Sequence, residues 1–292
     1  MDSTILYALA ANLFFSSSSI VFAQFSRKHS SLWINAVKSS LAFACLLLIV
    51  PIFVGFHPLP PLALALFVLS GLLGLVIGDV FLFNAYRILG AGRTLMIFGF
   101  QPLIIGSMAY LLFNQAVDAH RFLGIIFFVA CLLIFSLETR RMHGHWEWRG
   151  LIGALLGLLF DATGVLLTRH AFDMSPGLTS IEANLFRFFG AILGFAFIAR
   201  FIRPIGLVEK FLSETPRHRA LVVAACVCGT LLSLSFYLAA LQKGNLATIS
   251  GIAITAPLFA TLLECLIAKK WPSIYLWTAL ASFAAGFWII LS

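Results

Sequence analysis

The chain is a near-continuous succession of apolar runs, each about twenty residues long, and that pattern admits very few folds. A helix needs about 20 apolar residues to cross the hydrocarbon of a bilayer. Ten such runs with short connections use up the 292 residues. They cover 3–25, 32–54, 62–86, 93–113, 119–137, 149–168, 179–199, 219–241, 246–267 and 272–291. Each is expected to be helical, because an open strand in lipid leaves backbone groups unpaired. With 61% hydrophobic and 10% charged residues, the chain has far more apolar surface than a water-soluble core can hide. The fold class expected is therefore an all-α integral membrane protein with ten transmembrane helices. The first run follows Met1-Asp2-Ser3-Thr4 with no basic segment and no small-residue cleavage motif, so it reads as a retained helix rather than a signal peptide.

Punctuation falls where the spans predict it, at Arg27-Lys28-His29, His57-Pro58-Leu59-Pro60-Pro61, Ser175-Pro176-Gly177 and Pro216-Arg217-His218. The two longest connections are 138–148, a natural boundary between halves, and 200–218. In the second, Ile205 to Leu212 suits a short interfacial helix. Cys45, Cys131, Cys226, Cys228 and Cys265 all sit inside apolar runs and read as small buried hydrophobes. His143 and His145 flank Gly144 in a solvated loop without further ligands, so no metal site and no cofactor are expected. A net charge of +8 could suggest nucleic acid, but the basic residues lie in short loops, where topology accounts for them.

An internal repeat runs through these spans. Ala85 to Pro102 recurs as Ala240 to Pro257 at a constant offset of 155, with Phe81 matching Phe236 and each proline followed by leucine. Asn35-Ala-Val-Lys38 likewise matches Asn184-Leu-Phe-Arg187. Several matches in one order mark a repeated unit. An odd number of helices per unit places the second half upside down, the inverted-repeat design of secondary transporters. The two units expected are 1–138 and 149–292.

The repeated five-helix unit resembles the drug/metabolite transporter superfamily, EamA type. The likeness is carried by Ala85-Tyr-Arg-Ile-Leu-Gly-Ala-Gly92 leading to Gln101-Pro102-Leu103, and by a basic residue early in the second helix of each half. Family members often carry a glutamate shortly after the fourth and ninth helices, where this chain has Gln115 and Lys270. The resemblance implies two inverted five-helix repeats around a central cavity, a ten-helix carrier of small metabolites, such as amino acids or similar amphipathic compounds, working in export across the cytoplasmic (inner) membrane. It leaves monomer and homodimer equally open.

Basic residues crowd the odd-numbered loops, from Arg27 and Lys28 in the first to Lys269 and Lys270 in the ninth, whereas the even loops hold Arg121, Arg169 and Lys243. The positive-inside rule then predicts odd loops in the cytoplasm and both termini outside. Ten-helix relatives usually keep both termini inside, so the two arguments point in opposite directions.

Charges within a membrane cost roughly 2.5–3.5 kcal/mol each on insertion scales, so each one calls for a function or a partner. Depth matches Lys38 with Asp79 and Asp161 with Arg187. One reading is two buried ion pairs that fix helix packing. The other is that Lys38 and Arg187 meet an anionic substrate group while Asp79 or Asp161 is released to take a proton. Pro102 and Pro257, each near the middle of its helix, are expected helix breaks that gate the motion. Neighbouring Gln101 and Thr255 would join a midplane binding surface. Glu264, near the end of the ninth span, can reach the interface. Ser16 to Ser19 read mainly as helix–helix contacts, and Gly74-xxx-Gly78, Gly153-xxx-Gly157 and Gly190-xxx-Gly194 as close-packing faces.

The favoured function is a secondary transporter of small organic metabolites, with protons as a second ligand. A passive facilitator needs no proton-linked carboxylate. A membrane enzyme acting on lipids needs clustered His, Asp or Glu at one interface, which the sequence lacks.

Overall fold

The computed structural model describes residues 3–101, 104, 126–127, 130, 133–134, 137, 147–243, 255–269 and 271–291. All the regular elements among them are helical. We label them α1 (Ser3–Ser26), α2 (Ser31–Val54), α3 (Pro61–Leu89), α4 (Ala91–Phe98), α5 (Trp148–Asp173), α6 (Ser180–Phe201), α7 (Leu207–Ser213), α8 (Pro216–Gln242), α9 (Thr255–Ala268) and α10 (Ile274–Leu291). Six of these, α1, α2, α3, α5, α6 and α8, are long and apolar enough to cross a membrane. Most of the fourth span, the fifth span and the start of the ninth lie outside the described residues, as do Pro102, Cys131, His143 and His145.

Local chemistry sets the helix ends. Ser30 caps α2 by accepting the Trp33 N–H. Thr179 and Glu182 form a reciprocal capping box on α6. Prolines 61 and 216 occupy first turns, where the missing N–H costs nothing. Gly90, at φ +86°, turns the chain between α3 and α4 in a conformation that disfavours any side chain.

Two rods are not regular. α3 passes through a π-helical stretch at Gly71–Gly78, and α8 through another at Val227–Leu232. Such widened turns shift the register of the side chains beyond them. Here those side chains begin with Asp79 in α3 and Ser233 in α8.

Packing follows the apolar–apolar rule of a bilayer, where close fit replaces the hydrophobic drive between helices. α3 lies between α5 and α6, and its glycines allow the approach. A Cβ on Gly71 would lie 1.8 Å from the Arg187 carbonyl oxygen, and one on Gly190 would lie 2.1 Å from that of Val68. Gly78 and Gly157 face each other across α3 and α5. The Gly74, Gly153 and Gly190 motifs are therefore partly used as expected: Gly78, Gly157, Gly190 and Gly194 sit in tight seams, and Gly74 and Gly153 have more room. We predict that Gly190→Ala lowers stability by about 1–3 kcal/mol, because a carbonyl held by its own helix cannot give way. Thermal unfolding in detergent measures it.

Large apolar side chains such as Leu48, Phe53, Phe197, Leu266 and Trp288 point outward, while Trp33, Phe67, Phe83, Tyr86 and Phe188 are buried. The serines of α1 are satisfied locally: Ser16, Ser18 and Ser19 each donate to a carbonyl four residues back. Ser16 also reaches the Ala256 carbonyl, joining α1 to α9. The stretch read as interfacial forms α7, with Val208 and Leu212 exposed.

Candidate substrate cavity

A cavity of about 140 Å³ opens between the long helices. Its wall is apolar and aromatic, with Phe15, Phe22, Phe83, Phe98, Tyr86 and Tyr237 among the lining residues. Five of the polar residues singled out from sequence meet there: Lys38 from α2, Asp79 from α3, Gln101 just beyond α4, Asp161 from α5 and Arg187 from α6. They lie between 22 and 149 residues apart in the chain and come from different helices, yet they line one cavity.

Lys38 and Asp79 form the expected ion pair. Both are largely buried, and the Lys38 ammonium also lies 5.1 Å from the Phe83 ring centre. The second expected pair does not form. Asp161 instead accepts a hydrogen bond at Oδ2 from Gln101 Nε2 at 2.7 Å. Its other oxygen and Arg187 Nη2 both lie 3.6 Å from the point a Cβ of Gly74 would occupy. Equal depth thus brought the two charges to one glycine-lined gap without joining them, and the amide of Gln101 satisfies the carboxylate first.

Arg187 is consequently unusual. It is 1% exposed, lines the cavity, and its Nε and Nη1 have no hydrogen-bond partner among the described residues. A buried cation left in this state is costly, and natural structures rarely retain one without use.

Thr255 does not line the cavity but accepts a hydrogen bond from Asn12, which does, at 3.0 Å. Pro257 is buried within α9. Tyr86 donates to Ser19 at 2.8 Å, which uses one of the four consecutive serines inside the bundle. Asn12 was singled out by no pattern considered in isolation; its signal is that it lies 149 residues before Asp161, the same spacing that separates Asn35 from Asn184 and Lys38 from Arg187.

Away from the cavity, carboxylates tie helix ends together. Glu264 accepts the N–H groups of Ala91 and Gly92 at 2.7 and 3.1 Å, capping α4 from α9. A Cβ on Gly92 would lie 2.9 Å from both that carboxylate and the Thr261 hydroxyl, so this seat needs glycine. His57 meets Glu182 through both its backbone and its ring at 2.9 Å. His29 donates to Glu214 at 2.8 Å and His218 to the same carboxylate at 2.7 Å. The bond from His218, together with that from His29 and against a partial burial that acts upward, holds the Glu214 carboxyl below its ordinary value of 4.5. A depressed carboxyl adds stability in full above its unfolded value, and the contribution is lost as pH falls through the folded one. Glu214→Gln is therefore expected to flatten the acid side of the stability profile, as pH falls below the ordinary carboxyl value of 4.5, in a detergent melting series.

Among the described residues no group of three His, Cys, Asp or Glu side chains converges as a metal site would require. The polar groups of the cavity suit binding and release of a charged small molecule.

The family model of the EamA-like transporter family matches residues 2–137 and again 148–292. The chain belongs to the EamA-like transporter family. As an EamA-like transporter it is a multi-pass membrane protein that has a small-molecule substrate and works within lipid. A solved structure described only as a crystal structure of a protein is similar over 99% of this chain and 96% of its own, with a TM-score of 0.68 and 16% identity. At that identity the likeness speaks for the fold of this EamA-like chain and nothing finer. No curated protein matches the sequence.

Proposed function

We propose that the protein is a secondary active transporter that exports small organic metabolites bearing a carboxylate, amino acids or similar amphipathic compounds, by alternating access. In this reading ten spans form two inverted five-helix halves, 1–138 and 149–292, and the cavity between them opens to one face at a time. The single observation that carries the reading is a cavity with aromatic walls in which Arg187 is buried and two of its nitrogens have no hydrogen-bond partner among the described residues. The guanidinium offers two charge-assisted bonds to a substrate carboxylate. Pro102 and Pro257 serve as the helix breaks about which the gates move.

Asp161 is the proton carrier in this scheme. Asp79 is already neutralised by Lys38, whereas Asp161 is held by an uncharged amide and lies beside the gap that Arg187 enters. Substrate bound at Arg187 and a proton on Asp161 then exclude or favour each other across a short distance, which is the competition that coupling requires. The protein is placed in the cytoplasmic membrane, with odd-numbered loops inside by their basic charge.

Asp161→Asn tests the coupling, since an amide keeps a partner for Gln101 and removes the titrating group. In proteoliposomes the wild type accumulates substrate against its gradient when a pH difference is imposed. The variant is expected to equilibrate substrate without accumulating it. Undiminished accumulation by both Asp161→Asn and Asp79→Asn contradicts these carboxylates as the proton carriers, whereas a wild type that only equilibrates substrate under the pH difference is a passive facilitator.

A further inference from the structure

We infer that Leu234 determines the charge selectivity of the cavity, by standing where the other half of the protein has Asp79 and so leaving Arg187 open to a carboxylate. The inference rests on the two-half reading above and deepens it.

The relation comes from three sets of matched positions. Phe81 and Ala85 in α3 lie 155 residues before Phe236 and Ala240 in α8, and the same step carries Asp79 to Leu234. The π-helical stretches of α3 and α8, at Gly71–Gly78 and Val227–Leu232, fall at the same step to within a residue, so the backbone irregularity that aims Asp79 recurs just before Leu234. In the helices that face them, Lys38 of α2 and Arg187 of α6 are 149 residues apart. α2 packs on the Asp79 part of α3, and α6 packs on the Leu234 part of α8. Asn12 and Asp161 are also 149 residues apart, and each bonds the chain near a repeat proline: Asn12 donates to Thr255 and Asp161 accepts from Gln101, with Thr255 one residue short of the 155 step.

The two halves therefore differ in how their charges are paired. The first contains Asn12 and Lys38 with its counter-ion Asp79. The second contains Arg187, with leucine in place of that counter-ion, and Asp161, which is held by Gln101 and not joined to Arg187. Leu234 lines the cavity alongside Arg187 and Tyr237. A substrate is thus oriented: its carboxylate goes to the Arg187 half and its apolar body to the aromatic wall. The chemical class selected is a small amphipathic monocarboxylate, with or without an amino group that the Asp161 side can receive.

The test needs no transport assay, so it can fail while the transporter reading stands. Placing aspartate at a partly buried, largely apolar position such as Leu234 ordinarily destabilises a protein. Here Leu234→Asp is expected to melt at or above the wild-type temperature, because it supplies Arg187 with the missing counter-ion. The same substitution in an Arg187→Met background is expected to melt several degrees below Arg187→Met alone. Benzoate, with benzamide as its uncharged isostere, is the ligand probe in the same melting assay. Benzoate is expected to stabilise the wild type, benzamide is not, and Leu234→Asp is expected to bind benzoate about tenfold or more weakly. Leu234→Asp destabilising both backgrounds equally overturns the inference. So does a wild type that benzoate does not stabilise, or that benzamide stabilises to the same extent. Failure of the transporter reading shows elsewhere, as the absence of flux in proteoliposomes.

Discussion

Arg187→Met is expected to abolish high-affinity binding of carboxylate substrates while leaving a protein at least as heat-stable as the wild type. The two effects have one cause. Arg187 is fully buried, and two of its nitrogens meet no hydrogen-bond acceptor among the described residues. Keeping a desolvated cation in that condition costs several kcal/mol, and methionine fills much of the same space without that cost. In the loaded state those nitrogens are the substrate's anchors. Two charge-assisted bonds at about 1.5–3 kcal/mol each correspond to a loss on the order of a hundredfold or more in affinity. Melting temperature and substrate Kd of the purified variant check both halves of the prediction. A residue kept only for packing shows the reverse, with stability falling and binding little changed.

Asp79→Asn is expected to act in the opposite sense, as a stability variant. Asp79 is the ion-pair partner of Lys38 among the described residues, and both side chains are largely buried where α2 meets α3. Removing one member of a buried pair leaves the other charge uncompensated, a loss of about 3–5 kcal/mol. Lys38→Met in the same chain should recover most of it, because the orphaned charge is then gone. Unfolding of the two single variants and the double variant in detergent gives the coupling energy directly. The contrast between Asp79 and Arg187 separates a charge that holds the bundle together from one that is held in reserve for a ligand.

The membrane class and the helical rods were legible in the sequence because lipid permits so few alternatives to an apolar helix of that length. Depth along each rod also brought Lys38, Asp79, Asp161 and Arg187 to one level, since a helix rises by a fixed amount per residue. What depth could not supply was rotation about the helix axis. Lys38 and Asp79 face each other, whereas Asp161 turns towards Gln101 and stays unjoined to Arg187. The π-helical stretches of α3 and α8 alter exactly that rotation, and no residue pattern announced them. Glu264 shows a second limit: its reach to the interface was visible, but its seat on the Ala91 and Gly92 amides depends on α4 and α9 meeting end to side.

The most direct test of a proton-coupled carboxylate transporter is flux through the purified protein in liposomes, with a panel of labelled metabolites and a pH gradient that can be imposed or collapsed. The account predicts that at least one amphipathic monocarboxylate accumulates only while the gradient lasts, and that its uncharged amide does not. Equal flux with and without the gradient, or flux restricted to cationic or uncharged compounds, contradicts it.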